Sequence, residues 1–298
     1  MDKQITLQKA LHFFLTKIIV GIVVIGALVT LAEWLCKLLF NKTSLTDDTK
    51  NIIVAVADSV IAVFGYIFLF KIYERRRIKE LSASTFGKNT LIGCVIGFVL
   101  QSLFILVIYI SGTYSVVHLN SASTLITPFA FALTAGVVAE ILMIGILFRL
   151  LEEQLGTVIA LTIFIILFAV LHVKMEGATF ISVSATAMQA GFMLPAAYVF
   201  SRSLWLPIFL HFSWDFAEPG IFGGINSSSS INQGFFSSKI IGSPLITGGP
   251  TGPQDSIQSL ILCLLTGIIF LILAKRKNNF IKPHWQTTAT NKSQQSQD

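Results

Sequence analysis

The stretch from Leu125 to His172 reads LITPFAFALTAGVVAEILMIGILFRLLEEQLGTVIALTIFIILFAVLH. Two apolar runs, at 125–151 and 156–173, meet at the short turn Gln154-Leu155-Gly156, and each suits a helix in a hydrocarbon core about 30 Å thick. Such a pair folds as an antiparallel hairpin of membrane helices. It holds two ionisable groups, Glu140 and His172. At a rise of about 1.5 Å per residue, Glu140 lies roughly 21 Å before Gln154 and His172 roughly 24 Å after Gly156, so the two sit at similar height.

The rest of the chain repeats this pattern. Its 298 residues have a mean hydropathy of +0.77, with 54% hydrophobic and 12% charged residues. That leaves too little polar surface to cover a soluble globule. The expected fold is all-α, a polytopic membrane bundle of about eight transmembrane helices near 13–39, 52–72, 90–111, 125–151, 156–173, 179–200, 203–218 and 256–274. The first span is too long for a typical signal peptide and lacks a small-residue cleavage site, so it reads as an anchor.

Basic residues orient the spans. Lys71, Arg75, Arg76, Arg77 and Lys79 close the second span and Lys275, Arg276 and Lys277 the eighth, which predicts a multi-pass protein of the cell membrane with both termini cytoplasmic. The net charge of +6 follows from that asymmetry and from attraction to membrane lipids; nothing points to nucleic acid. Cys36, Cys94 and Cys263 are too few and too dispersed for a disulfide framework or a zinc knuckle and read as packing residues.

Residues 218–255 contain the run Ser227 to Ser230 and a cluster of glycines and prolines, and read as an extended outer loop over whatever lies beneath it. Gln286 to Asp298 reads as a disordered tail. The chain divides into N-terminal spans without motifs (1–119), a motif-bearing region (120–278) that includes the loop, and a polar cytoplasmic tail (279–298).

Ionisable groups inside a bilayer cost about 2.5 to 3.5 kcal/mol each on insertion scales, so those that are kept are functional candidates. Besides Glu140 and His172 there are His211 and Asp215, four residues apart and hence on one helix face. A carboxylate or imidazole in a low-dielectric site can draw a proton from water, and neighbouring donors can stabilise an oxyanion. Peptide hydrolysis inside the membrane is the chemistry these groups suit. Two histidines and an aspartate are also a ligand set that zinc accepts, with His172 and His211 the expected ligands.

The runs Ala139-Glu140 to Gly156, Phe168 to His172, Leu204-Trp205 and His211-Phe212-Ser213-Trp214-Asp215 resemble the CPBP family of intramembrane proteases, which includes the type 2 CAAX prenyl endopeptidases. The resemblance covers roughly 120–275. The family's motifs are Glu-Glu-x-x-x-Arg, Phe-x-x-x-His and His-x-x-x-Asn or Asp, one on each of three membrane helices. The resemblance implies an endopeptidase acting on membrane-associated proteins or peptides. It implies a first-motif glutamate that activates water, helped by His172, while His211 and Asp215 stabilise the oxyanion. The resemblance leaves the need for a divalent metal open.

The first motif departs from the pattern. Ala139 stands where the family has its first glutamate and Ile144 where it has arginine, leaving Glu140. Adjacent helical positions point about 100° apart, so Glu140 could assume the base's role only through a rotated helix or a bent backbone. Otherwise hydrolysis is impaired, and the chain is a non-catalytic binding, immunity or regulatory protein on the same fold. Loss of both members of an ion pair leaves no stranded charge. Arg149 is half a turn off the face of Glu140 and does not replace the missing arginine; Glu152 and Glu153 read as solvated at the turn.

Plainer roles exist for each group: an interhelical hydrogen bond for Glu140, an interfacial position for His172, a neutral packing pair for His211 and Asp215. A transporter would need a second polar lining on the first three spans, where the candidates are Glu33, Asp58 and Gln101.

Overall fold

A computed structural model describes residues 13–175, 177–224 and 234–286. Eight helical segments follow the apolar stretches: α1 (Phe14–Phe40), α2 (Asp47–Tyr73), α3 (Ala83–Ile110), α4 (Ala122–Leu155), α5 (Thr157–His172), α6 (Phe180–Ser201), α7 (Trp205–Phe216, continued as a π-helix over Ala217–Ile221) and α8 (Ile257–Arg276). Six of these are long and apolar enough to cross a membrane; α5 is shorter, and α7 shorter still. The chain is an all-α, membrane-embedded bundle. Its outward-facing side chains, such as Phe64, Phe68 and Ile110, are large and apolar, as a lipid-facing surface requires.

Local chemistry sets the helix ends. Thr46 caps α2 by accepting a hydrogen bond from the Thr49 amide, and Thr179 and Ser182 form a reciprocal capping box at the start of α6. Helix α3 begins seven residues before the apolar run at 90–111, because Ser82 to Asn89 is polar but helix-compatible sequence at the bundle's end.

One end of the bundle is tied by charge. Glu74 accepts from Lys17 on α1 at 3.2 Å, Arg76 at 2.6 Å and Arg149 on α4 at 3.0 Å. Arg76 also pairs with Glu80 at 2.6 Å, and Tyr66 donates to Glu80 at 2.5 Å. Arg202, after α6, grips Glu152 at 2.6 Å, and Thr157 donates to the same carboxylate. Glu152 is therefore buried, not solvated as its place in the turn suggests; Glu153 stays partly exposed against Arg149. Arg149 points into this network, away from Glu140, with its guanidinium over the Phe70 ring.

The opposite end differs from a plain loop. Tyr114–Leu119 (β1) and Phe236–Ile240 (β2) pair antiparallel, with an irregularity between Val116 and His118. A chain segment running through Pro253–Asp255 then dips into the bundle before α8, so the 218–255 region carries structure of its own. The serine run lies outside the described residues. The expected tail also departs from solvent at its start: Asn279 donates to the carbonyls of Val199 and Phe200, and the Ile281 amide donates to Thr157.

Close helix contacts fix α7. A Cβ at Gly97 would meet the Leu210 carbonyl at 2.4 Å, and one at Gly136 would meet the Ile208 carbonyl at 2.9 Å. Only glycine lets α3 and α4 approach the α7 backbone this closely. Ser213 fastens the same contact by donating to the Cys94 carbonyl at 2.7 Å, and Trp205 Nε1 donates to the Ser82 carbonyl at 3.1 Å.

Candidate active site

Glu140 reaches the site through a backbone irregularity. On either side of it, over Ala135–Ala139 and Ile141–Phe148, α4 is wound as a π-helix. Wider i→i+5 turns change the direction in which successive side chains leave the helix. Glu140 is buried and faces α7, while Ala139 is only half-buried. The helix thus departs from regular α-winding at Glu140. Ile144 is enclosed in the core, where an arginine would have no room in water.

Glu140 Oε1 lies 2.7 Å from His211 Nδ1, close enough for a charge-assisted hydrogen bond. On the other side of the ring, His211 Nε2 lies 3.4 Å from Asp215 Oδ2, an electrostatic contact that falls short of hydrogen-bond geometry. The imidazole is held between two buried carboxylates. Glu140 Oε2 and Asp215 Oδ2 have no hydrogen-bond partner among the described residues.

A cavity of about 150 Å³ opens in front of this group. His172, His211, Asp215, Thr186, Gln189 and Gln254 supply its polar wall, and Trp214 and Leu210 part of its apolar one. Glu140 lies behind His211 and is not part of the lining. His172, at the last turn of α5, donates from Nδ1 to the Phe168 carbonyl at 2.9 Å in its neutral form, which leaves Nε2 as an acceptor. The ring is stacked on Phe168, with centroids 6.1 Å apart.

Glu218 was not among the sequence candidates. It follows Asp215 by three positions on the same helical rise, is fully buried, and accepts from Gln101 Nε2 at 2.7 Å. Spacing on one face, 211, 215 and 218, was the available signal. Asp255 accepts from Thr186 at 3.1 Å, and Gln189 donates to the Gln254 carbonyl and to Ser259. These bonds fasten the segment before α8 across the cavity.

Zinc does not fit this donor set. Both ring nitrogens of His211 face carboxylates, and among the described residues no three His, Cys, Asp or Glu side chains converge as metal ligands.

No curated protein and no solved structure matches the chain. The region that supplies Glu140, His172, His211 and Asp215, residues 120–217, matches the family model described as type II CAAX prenyl endopeptidase Rce1-like.

Proposed function

We propose that the chain is an intramembrane endopeptidase that hydrolyses peptide bonds of membrane-associated proteins or peptides, at a site on the side of the bundle away from its basic, cytoplasmic end. The observation that supports this most is the Glu140–His211 contact at 2.7 Å beside a cavity that His172 also lines. A water share of about 30 Å³ leaves room in 150 Å³ for a carbonyl group and its attacking water.

In this reading His172 is the base that the altered first motif lacks. Its Nε2 takes a proton as the water oxygen attacks the carbonyl carbon. His211, held between Glu140 and Asp215, presents an Nε2–H to the developing oxyanion. Collapse of the tetrahedral intermediate breaks the C–N bond, and the proton held by His172 passes to the leaving amine. Glu140 is a positioning residue: its carboxyl group fixes the orientation of His211 without touching substrate. No step uses a metal.

A second reading rests on the place of Glu140 behind His211 and outside the cavity lining. With Ala139 unable to take a proton, the same fold would bind a membrane segment without cutting it. A photo-crosslinkable membrane-peptide library separates the two. The enzyme releases products and His172→Ala traps intact peptide; the binding protein crosslinks intact peptide equally well in both forms.

A further inference from the structure

A second cavity lies away from this site, between α1, α2 and the first half of α4, at the end of the bundle opposite the Glu74–Arg149 network. Its volume is about 770 Å³, inside the range of about 300 to 1,000 Å³ usual for small-molecule sites. Asp58 is at its floor, 1% exposed, and neither carboxylate oxygen has a partner among the described residues. An ionised carboxylate so placed is costly unless a cation or donor meets it.

The cations of this chain near the cleft are occupied at its rim. Lys37 pairs with Glu33 at 3.7 Å and Lys50 with Asp47 at 3.2 Å, and in each pair one partner is largely exposed. Lys50 stands eight residues, about 12 Å of helix rise, from Asp58. The charge order is therefore a bare carboxylate below and two ion pairs above, Lys37 with Glu33 and Lys50 with Asp47, each open to solvent on one side. No three metal-ligating side chains converge here among the described residues, which disfavours a metal ion as the missing cation. Asn51 and Thr134 add polar groups to the walls, and Ala55, Ala130 and Phe131 make the rest apolar.

We infer that this cleft binds a zwitterion through its primary ammonium group, which enters to Asp58 while an anionic group on the same ligand stays at the rim with Lys37 and Lys50. A primary ammonium offers three donors, enough for both free oxygens of Asp58. Phosphoethanolamine has this chemistry, as a free molecule or as the headgroup of phosphatidylethanolamine. Gln101, the third polar residue of the first three spans, is bonded to Glu218 and belongs to the other site.

The test uses the full chain in nanodiscs. In one arm, phosphoethanolamine is titrated calorimetrically into nanodiscs of phosphatidylcholine and phosphatidylglycerol. In the other, native mass spectrometry counts the lipids kept by protein released from nanodiscs that also contain phosphatidylethanolamine. Binding in the first arm identifies a soluble ligand; selective retention of phosphatidylethanolamine over phosphatidylcholine in the second identifies the lipid. Asp58→Asn weakens whichever binding is found by about tenfold or more, the scale of one charge-assisted hydrogen bond, and Lys37→Gln weakens it less. Melting curves confirm that both variants are folded. The inference is overturned if the wild type binds neither probe, or if Asp58→Asn binds as the wild type does.

Discussion

Glu140 on α4 and His211 on α7 are 71 positions apart in sequence and 2.7 Å apart in space. The contact depends on two features acting together: π-helical winding on both sides of Glu140, and a glycine one turn earlier that lets the helices close. A carboxylate that the sequence places one position from the family's expected one is by this means set against the third-motif histidine.

Glu140→Gln removes the charge and keeps the shape. The amide no longer supplies the carboxyl group that polarises His211, so cleavage falls by about 10²- to 10⁴-fold. The fold is retained, because the amide can still bond to the ring. Product formation from a membrane-peptide substrate, with a melting curve of each protein, measures both.

Rebuilding the family's first motif does not raise activity in this bundle. Ile144 is 1% exposed and surrounded by core side chains. Ile144→Arg buries an unpaired charge and destabilises the protein by about 3–5 kcal/mol. Ala139→Glu alone is tolerated at its half-buried position, but its carboxylate is not among the groups facing the cavity. Chemical denaturation in detergent and cleavage by the single and double variants check this. A gain of activity in the double variant would show that the site is built differently.

Gly136→Ala and Gly97→Ala push α7 away from α4 and α3. The added methyl groups meet backbone atoms, which cannot swing aside as a side chain does, at a cost of about 1–3 kcal/mol each. Gly136→Ala further lengthens the Glu140–His211 contact, so it lowers cleavage more than its effect on melting explains. Gly87→Ala, where a Cβ meets nothing within 4 Å, is the neutral control.

The charged end of the bundle makes the protein sensitive to acid. Burial works to raise the Glu74 carboxyl, but Arg149, Arg76 and Lys17 outweigh it and hold it below its ordinary value of 4.5. Burial is likewise outweighed at Glu80 by the hydrogen bond and charge of Arg76 and by Tyr66. A carboxyl lowered on folding adds stability that is complete above its unfolded value, and this is lost as pH falls through the folded one. Melting temperature therefore falls as pH drops below about 4.5. Glu80→Gln lowers stability near neutral pH by about 1.5–3 kcal/mol and makes the acid transition shallower.

Chelation tests the metal-free chemistry. Incubation with excess chelator leaves cleavage unchanged, since no three metal-ligating side chains converge among the described residues. Loss of activity restored by zinc would contradict this.

The helical segments were legible in the sequence because hydropathy in lipid reports helix position directly, and the separation of His211 and Asp215 by four residues gave their shared face. Other features were not. Nothing local in Ala135 to Phe148 marks a π-helix, and the α7 backbone that Gly136 packs against, at Ile208, lies far on in the chain. Glu152 looked solvated because its partner Arg202 is 50 residues away. The pairing of Tyr114–Leu119 with Phe236–Ile240 joins segments too far apart for either to signal a hairpin. Glu218 was read as the first residue of a loop, whereas the α7 rise continues through it and buries it beside Asp215.

The most direct measurement is mass spectrometry of a membrane-peptide mixture incubated with the purified protein in lipid, beside its folded His172→Ala and His211→Ala forms. Site-specific cleavage by the wild type that disappears in both variants is the predicted result. Absence of wild-type cleavage beyond the two variants, with all three proteins folded, would contradict a hydrolytic site.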